Sequence, residues 1–170
     1  MTVLVGVVSL SASRMTDKAQ AEKIVSTVED LRGPITLYHQ HTGELPREFS
    51  GFQGASYHRL SQNPSVSGWA GPYIKNPIRR SWNPTGGQVH LYDRIPAAFA
   101  GGNGFDLDGD GKTDVKADGG CVITYGEVSK AVAQKVDKAL DEKLPGTWSD
   151  AGRVEYRETS RRLTVLLLNP

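Results

Sequence analysis

Apolar and polar positions divide this chain into stretches of different periodicity. Met1 to Ala12 (MTVLVGVVSLSA) is apolar and uncharged, and the first basic residue is Arg14. A bilayer span needs roughly 20 apolar residues, so this run is too short to cross one. With no basic region before it, it does not resemble an ordinary signal peptide. Two readings stand: a buried N-terminal strand or helix, or part of a hydrophobic helix that packs against other subunits or lipid. From Thr16, the expected N-cap, Ala21, Ile24, Val28 and Leu31 recur at helical steps. Gly33-Pro34 is expected to kink or end that helix. Ile35, Leu37 and Tyr38 continue the apolar face until Gly43 and Pro46 stop it.

Periodicity fades from Pro46 to about Asn103, a stretch rich in Gly, Pro, Ser and Asn with aromatic residues spread through it. Long structureless loops are uncommon in compact domains, so those rings are expected to pin this one. Gln88 to Asp93 alternates as a half-buried strand does. Cys121 to Ile123 reads as a short buried strand. Glu127 to Lys143 reads as a second amphipathic helix, with Val128, Ala131, Val132, Val136, Ala139 and Leu140 at helical spacing and Pro145-Gly146 as terminator. Arg153 to Arg157 and Arg162 to Leu168 read as a hairpin about a polar turn. The pattern predicts an α+β chain: a helical segment over 1–45, then a head over 46–170.

Composition narrows the chemistry. A chain of 170 residues suits one domain, or one domain with an appendage. Twenty Lys and Arg against nineteen Asp and Glu give a net charge of +1, with no basic face for nucleic acid. The single cysteine, Cys121, excludes an internal disulfide, and the absence of a Cys/His cluster argues against structural zinc. His39 and His41 are two apart and do not share a helix face. No nucleophile elbow or acid/base constellation stands out, so the chain does not read as an enzyme.

One stretch carries sharper chemistry. Asp106-Leu-Asp-Gly-Asp110-Gly-Lys-Thr-Asp114 sets carboxylates at the first, third, fifth and ninth places of a loop, with Gly111 at the sixth and the Lys112 carbonyl at the seventh. Calcium takes six to eight oxygens, and short loops collect them at this spacing. An EF-hand would place a glutamate at the twelfth position, where this chain has Ala117; Asp118, one place later, is the expected closing ligand. The predicted calcium loop therefore spans 106–118, with Asp106, Asp108, Asp110, Lys112, Asp114 and Asp118 as ligands. A solvated Asp/Gly turn is the plain alternative.

Three stretches together resemble the type IV pilin-like family, and the major pseudopilin of type II secretion in particular. They are the helix ending in Ile35-Thr-Leu-Tyr38-His-Gln-His-Thr-Gly-Glu-Leu45-Pro46, the Trp69-Ala-Gly-Pro-Tyr-Ile74 run followed by Asn76-Pro77 and Ser81-Trp-Asn-Pro84, and the acidic loop. The resemblance covers roughly Thr16 to Asp118. It implies a long N-terminal helix packed on a small antiparallel sheet, with a calcium loop and, in this chain, a second C-terminal helix plus hairpin. It also implies a homo-oligomeric helical filament assembled through the N-terminal helix, anchored in the inner membrane before assembly, partnered by other pilins or secretion components, and displayed at the cell surface or in the periplasm. Departures from the family are plain: Met1 to Arg14 holds no glutamate and no basic leader, the stem is short by about two to three turns at 3.6 residues each, and Cys121 to Pro170 exceeds the usual pseudopilin end. The expected function is a calcium-stabilised structural subunit of such a filament. A secreted calcium-dependent binding or adhesion module is the alternative, with Trp69 to Tyr73 as its contact surface.

Overall fold

The computed structural model of the chain describes residues 2–96, 104–141 and 148–170, with side chains from Met15 onward. Its first helix, α1, runs from Thr2 to Thr42 without interruption. Forty-one residues at about 1.5 Å each give a rod of about 60 Å. The helix start expected at Thr16 is therefore absent, and Thr16 lies mid-helix. Threonine is accommodated within a helix by bonding back to the preceding turn. The hydroxyls of Thr27, Thr36 and Thr42 each donate at 2.8 Å to the carbonyls of Lys23, Arg32 and Tyr38.

Of the two outcomes expected at Gly33-Pro34, a kink or an end, the end is absent, since Pro34 sits inside α1. An interior proline costs about 3 kcal/mol. Leu31 and Ile35, on either side of it, are 2% and 0% exposed. Burying each contributes about 1.5–3 kcal/mol, so packing outweighs the local cost. Gly43 ends the helix as expected, at φ 71, with its N–H donating to the His39 carbonyl at 2.8 Å.

Among the described residues, seven short strands follow in chain order: β1 (Glu48–Phe49), β2 (Val89–Tyr92), β3 (Gly104–Phe105), β4 (Val115–Lys116), β5 (Cys121–Tyr125), β6 (Val154–Arg157) and β7 (Arg162–Leu168). The main sheet is antiparallel in the order β1-β2-β5-β7-β6. β3 and β4 form a separate two-stranded ribbon. The expected alternating strand at Gln88 to Asp93, the buried strand at Cys121 and the C-terminal hairpin all appear. The second helix, α2 (Lys130–Asp141), also appears, opened by Ser129, whose hydroxyl accepts from the Val132 N–H at 3.3 Å. Its expected stop at Pro145-Gly146 lies outside the described residues, as do Phe99 and Gly101 to Asn103.

The pleat divides the strands between two cores. Register pairs Leu91 with Ile123, Ile123 with Val165 and Tyr125 with Leu163. These side chains meet Ile24, Val28, Leu31 and Ile35 of α1 and Val132 and Val136 of α2 in the main core. Val122 and Leu166, paired with each other, join Ile95, Phe105 and Val115 in a second, smaller core. This small core ties the β3-β4 ribbon to the molecule. The result is an α+β fold: a long helix and a second helix packed on a small antiparallel sheet. Among the described residues, no helix is long and apolar enough to cross a membrane.

The segment from Pro46 to the start of β2 is pinned by its rings, as expected. Trp69 donates its indole N–H to the Arg59 carbonyl at 2.8 Å. Tyr73 meets Tyr38 of α1 edge-on at 5.4 Å, and its hydroxyl lies 3.0 Å from His41 Nδ1. Gly68 is required here: its φ is +79, and a Cβ would sit 2.0 Å from the His41 carbonyl oxygen.

Candidate metal centre

The acidic loop joins β3 to β4. Antiparallel pairing of Phe105 with Val115 brings its ends together. Two further bonds fix it from outside. The Ile95 N–H donates to the Ala117 carbonyl and the Gly152 N–H to the Asp106 carbonyl, both at 2.7 Å. The loop is exposed yet held to the sheet by its roots, an arrangement that pre-sets its side chains.

Within it, carboxylates organise the backbone. Asp106 accepts the Gly109 N–H at 2.7 Å and the Gly111 N–H at 2.8 Å, one on each oxygen. Asp108 accepts the Asp110 N–H at 3.1 Å, and Asp114 accepts the Leu107 N–H at 2.7 Å. Gly109 and Gly111 turn at φ 75 and 83, where an L side chain is strained. The consequence is convergence: one carboxylate oxygen from each of Asp106, Asp108 and Asp114 lies within 4.8 Å of the others. The three carboxylates could therefore hold a metal ion; around calcium, with bonds of about 2.3–2.6 Å, ligand oxygens lie no farther than about 5 Å apart across the ion. Backbone carbonyls and water would complete six to eight oxygens. Three carboxylates this close repel one another in the absence of a cation.

The other expected ligands are placed differently. Asp110 accepts both the Lys112 N–H and the Lys112 ammonium, at 2.8 and 2.7 Å, and these bonds hold its carboxyl below the usual range. The Lys112 carbonyl accepts no hydrogen bond among the described residues, so it is available as a ligand. Asp118 is exposed in the turn after β4 and stands outside the converging triad.

Sequence reasoning passed over several polar residues that the fold buries. Glu48, fully buried, accepts the Leu60 N–H, the Ser61 N–H and the Ser61 hydroxyl at 2.8 to 2.9 Å, and its other oxygen lies 2.9 Å from His58 Nδ1. Asp141, at the end of α2, accepts the N–H groups of Arg153 and Val154 at 2.7 Å and so caps the start of β6. Glu155 is 6% exposed, and burial, then the nearby Asp150 and Asp106 charges, push its carboxyl up to about 8. Cys121 is fully buried with its thiol pushed upward by burial, as a small core residue rather than a nucleophile.

Comparison of the chain with family models, curated proteins and solved structures finds no match.

Proposed function

We infer that this chain is a non-enzymatic structural subunit of an extracytoplasmic helical filament of the type IV pilus or type II secretion pseudopilus kind, stabilised by calcium. The observation that carries the reading is the division of labour along α1. Its buried positions among the described side chains begin at Ala21 and run to Tyr38. The uncharged, apolar sequence from Met1 to Ala12 precedes that packed face, and from Thr2 it lies on the same unbroken helix. A rod that is sheet-bound at one end and apolar at the other suits subunits that pack helix against helix in a filament core. The pilin-like layout, with helix, small antiparallel sheet and acidic loop, supports the same reading. So does the Trp69 to Ile74 run, in which the Tyr73 ring meets Tyr38 at the end of α1 and Trp69 packs edge-on against Tyr73.

In this role the acidic loop is a clamp. Calcium held by Asp106, Asp108 and Asp114, with the Lys112 carbonyl, would tie the ribbon to the sheet where the ion is abundant, outside the cytoplasm. The test is cross-linking in producing cells. Cysteine placed at Ser9 and Met15 should give a ladder of disulfide-linked oligomers, while buried Cys121 stays silent; a lone monomer band under oxidising conditions would count against assembly.

A further inference from the structure

Charge is unevenly shared along this near-neutral chain. From Phe49 to Tyr92 there is no Asp or Glu, but there are four cations, Arg59, Lys75, Arg79 and Arg80. Arg59 is neutralised by Glu44 at 2.9 Å. Arg79 and Arg80 are exposed and have no carboxylate partner among the described residues. Arg80 is held in place, since its Nε–H donates to the Gly86 carbonyl at 2.8 Å. That bond fixes the guanidinium while leaving its Nη groups without a partner among the described residues.

These two arginines border a cleft of about 460 Å³, whose walls include Phe52, Gln53 and Gln62. Arg80 also lines an adjoining cavity of about 260 Å³, with Gln88, Tyr92 and Arg162. Glu127, the carboxylate on that second cavity, is paired with Arg161 at 3.3 Å. The larger cleft alone falls in the range of small-ligand sites. The chemistry of the walls is specific. A guanidinium group takes two oxygens of an oxyanion through its parallel N–H donors. Gln53 and Gln62 offer amides that both donate to and accept from hydroxyls. Phe52, 45% exposed, presents an apolar ring to one side of the cleft.

We propose that the larger cleft, from the Phe52 turn to Arg79-Arg80, binds an acidic oligosaccharide, with the two arginines on its carboxylate or sulfate, the Gln53 and Gln62 amides on its hydroxyls and the Phe52 ring against a sugar face. A nucleic acid strand would need a longer track of cations than two arginines provide, because its affinity rests on many phosphate contacts. None of the cleft residues lies on α1, so binding by the dispersed chain is read independently of the filament reading.

Isothermal titration of the full chain with a hyaluronan tetrasaccharide tests it, alongside chondroitin sulfate, neutral chitotetraose and a single-stranded thymidine oligomer. The acidic sugars should bind, the sulfated one showing whether sulfate or carboxylate is preferred, and the neutral sugar should bind roughly tenfold more weakly or not at all. The double variant Arg79→Gln/Arg80→Gln should lose roughly tenfold or more in affinity. Phe52→Ala should lose severalfold, and Arg94→Gln, at an exposed arginine off the cleft, should change nothing. All four side chains are at the surface, so unchanged circular dichroism is expected to accompany each variant. No binding of either acidic sugar, or binding indifferent to the arginine pair, overturns the proposal. Equal binding of the thymidine oligomer with no effect of Phe52→Ala also overturns it, as the mark of unselective polyanion attraction.

Discussion

Glu48 shows how much one side chain can hold together. Its two oxygens gather two backbone N–H groups, a serine hydroxyl and the His58 ring in a site without solvent. Removing one member of a buried polar set leaves the others unsatisfied, at about 3–5 kcal/mol. Glu48→Ala should therefore lower unfolding free energy by about that much in urea titrations, with Glu48→Gln falling between it and the parent. Glu155 behaves differently. Its folded carboxyl, near 8, lies above the ordinary value of 4.5, so the native state binds more protons than the unfolded one between those values. Stability must then fall as pH rises from about 4.5 to about 8, and level off above. In chelator, Glu155→Gln should flatten that slope and be the more stable protein at pH 8; an unchanged slope would contradict the assignment. The Asp106, Asp108 and Asp114 triad was legible in the sequence because its spacing is local. Glu48 and Asp141 were not, because their partners lie ten or more residues away and are chosen by the tertiary fold.

At the scale of elements, the helix and its neighbours decide between local propensity and packing. Gly33 lies on the exposed side of α1, and a Cβ added there would meet nothing within 4 Å, so Gly33→Ala should raise stability by about 0.5–1 kcal/mol. Gly68→Ala should do the opposite, because its φ is positive and the added Cβ meets the His41 carbonyl. Thermal melts of the two variants, moving in opposite directions, check both. α2 and β2 were legible because each buries one regular face, and β5 and the β6-β7 hairpin because their apolar runs are buried on both faces. Strands of two residues, as at β1, β3 and β4, leave no pattern. Local signals left open whether α1 would continue or end at Pro34, since the deciding term is burial of Leu31 and Ile35.

On the scale of the whole molecule, a long helix anchors to a small sheet, and an acidic loop is riveted to the far side of that sheet by the Ile95, Phe105, Val115, Val122 and Leu166 core. A cation bound only in the native state stabilises by about 2.7 kcal/mol at a hundredfold excess over its dissociation constant. For a domain of this size that corresponds to a midpoint shift of roughly 5–10 °C. Chelation should lower the thermal midpoint by that order, and Asp108→Ala should abolish the sensitivity; equal midpoints with and without chelator would reduce the loop to a turn. The α+β layout could be read from the chain because helix and strand periods are written in it. Its pairing order β1-β2-β5-β7-β6 could not, because strand order follows long-range contacts. The central claim is assembly through the N-terminal part of α1, and electron microscopy of filaments sheared from producing cells tests it most directly. The account predicts filaments whose helical core contains the part of α1 before Leu31, with the acidic loop on the outer head. Intact chain that remains dispersed, or filaments whose core excludes α1, would contradict it.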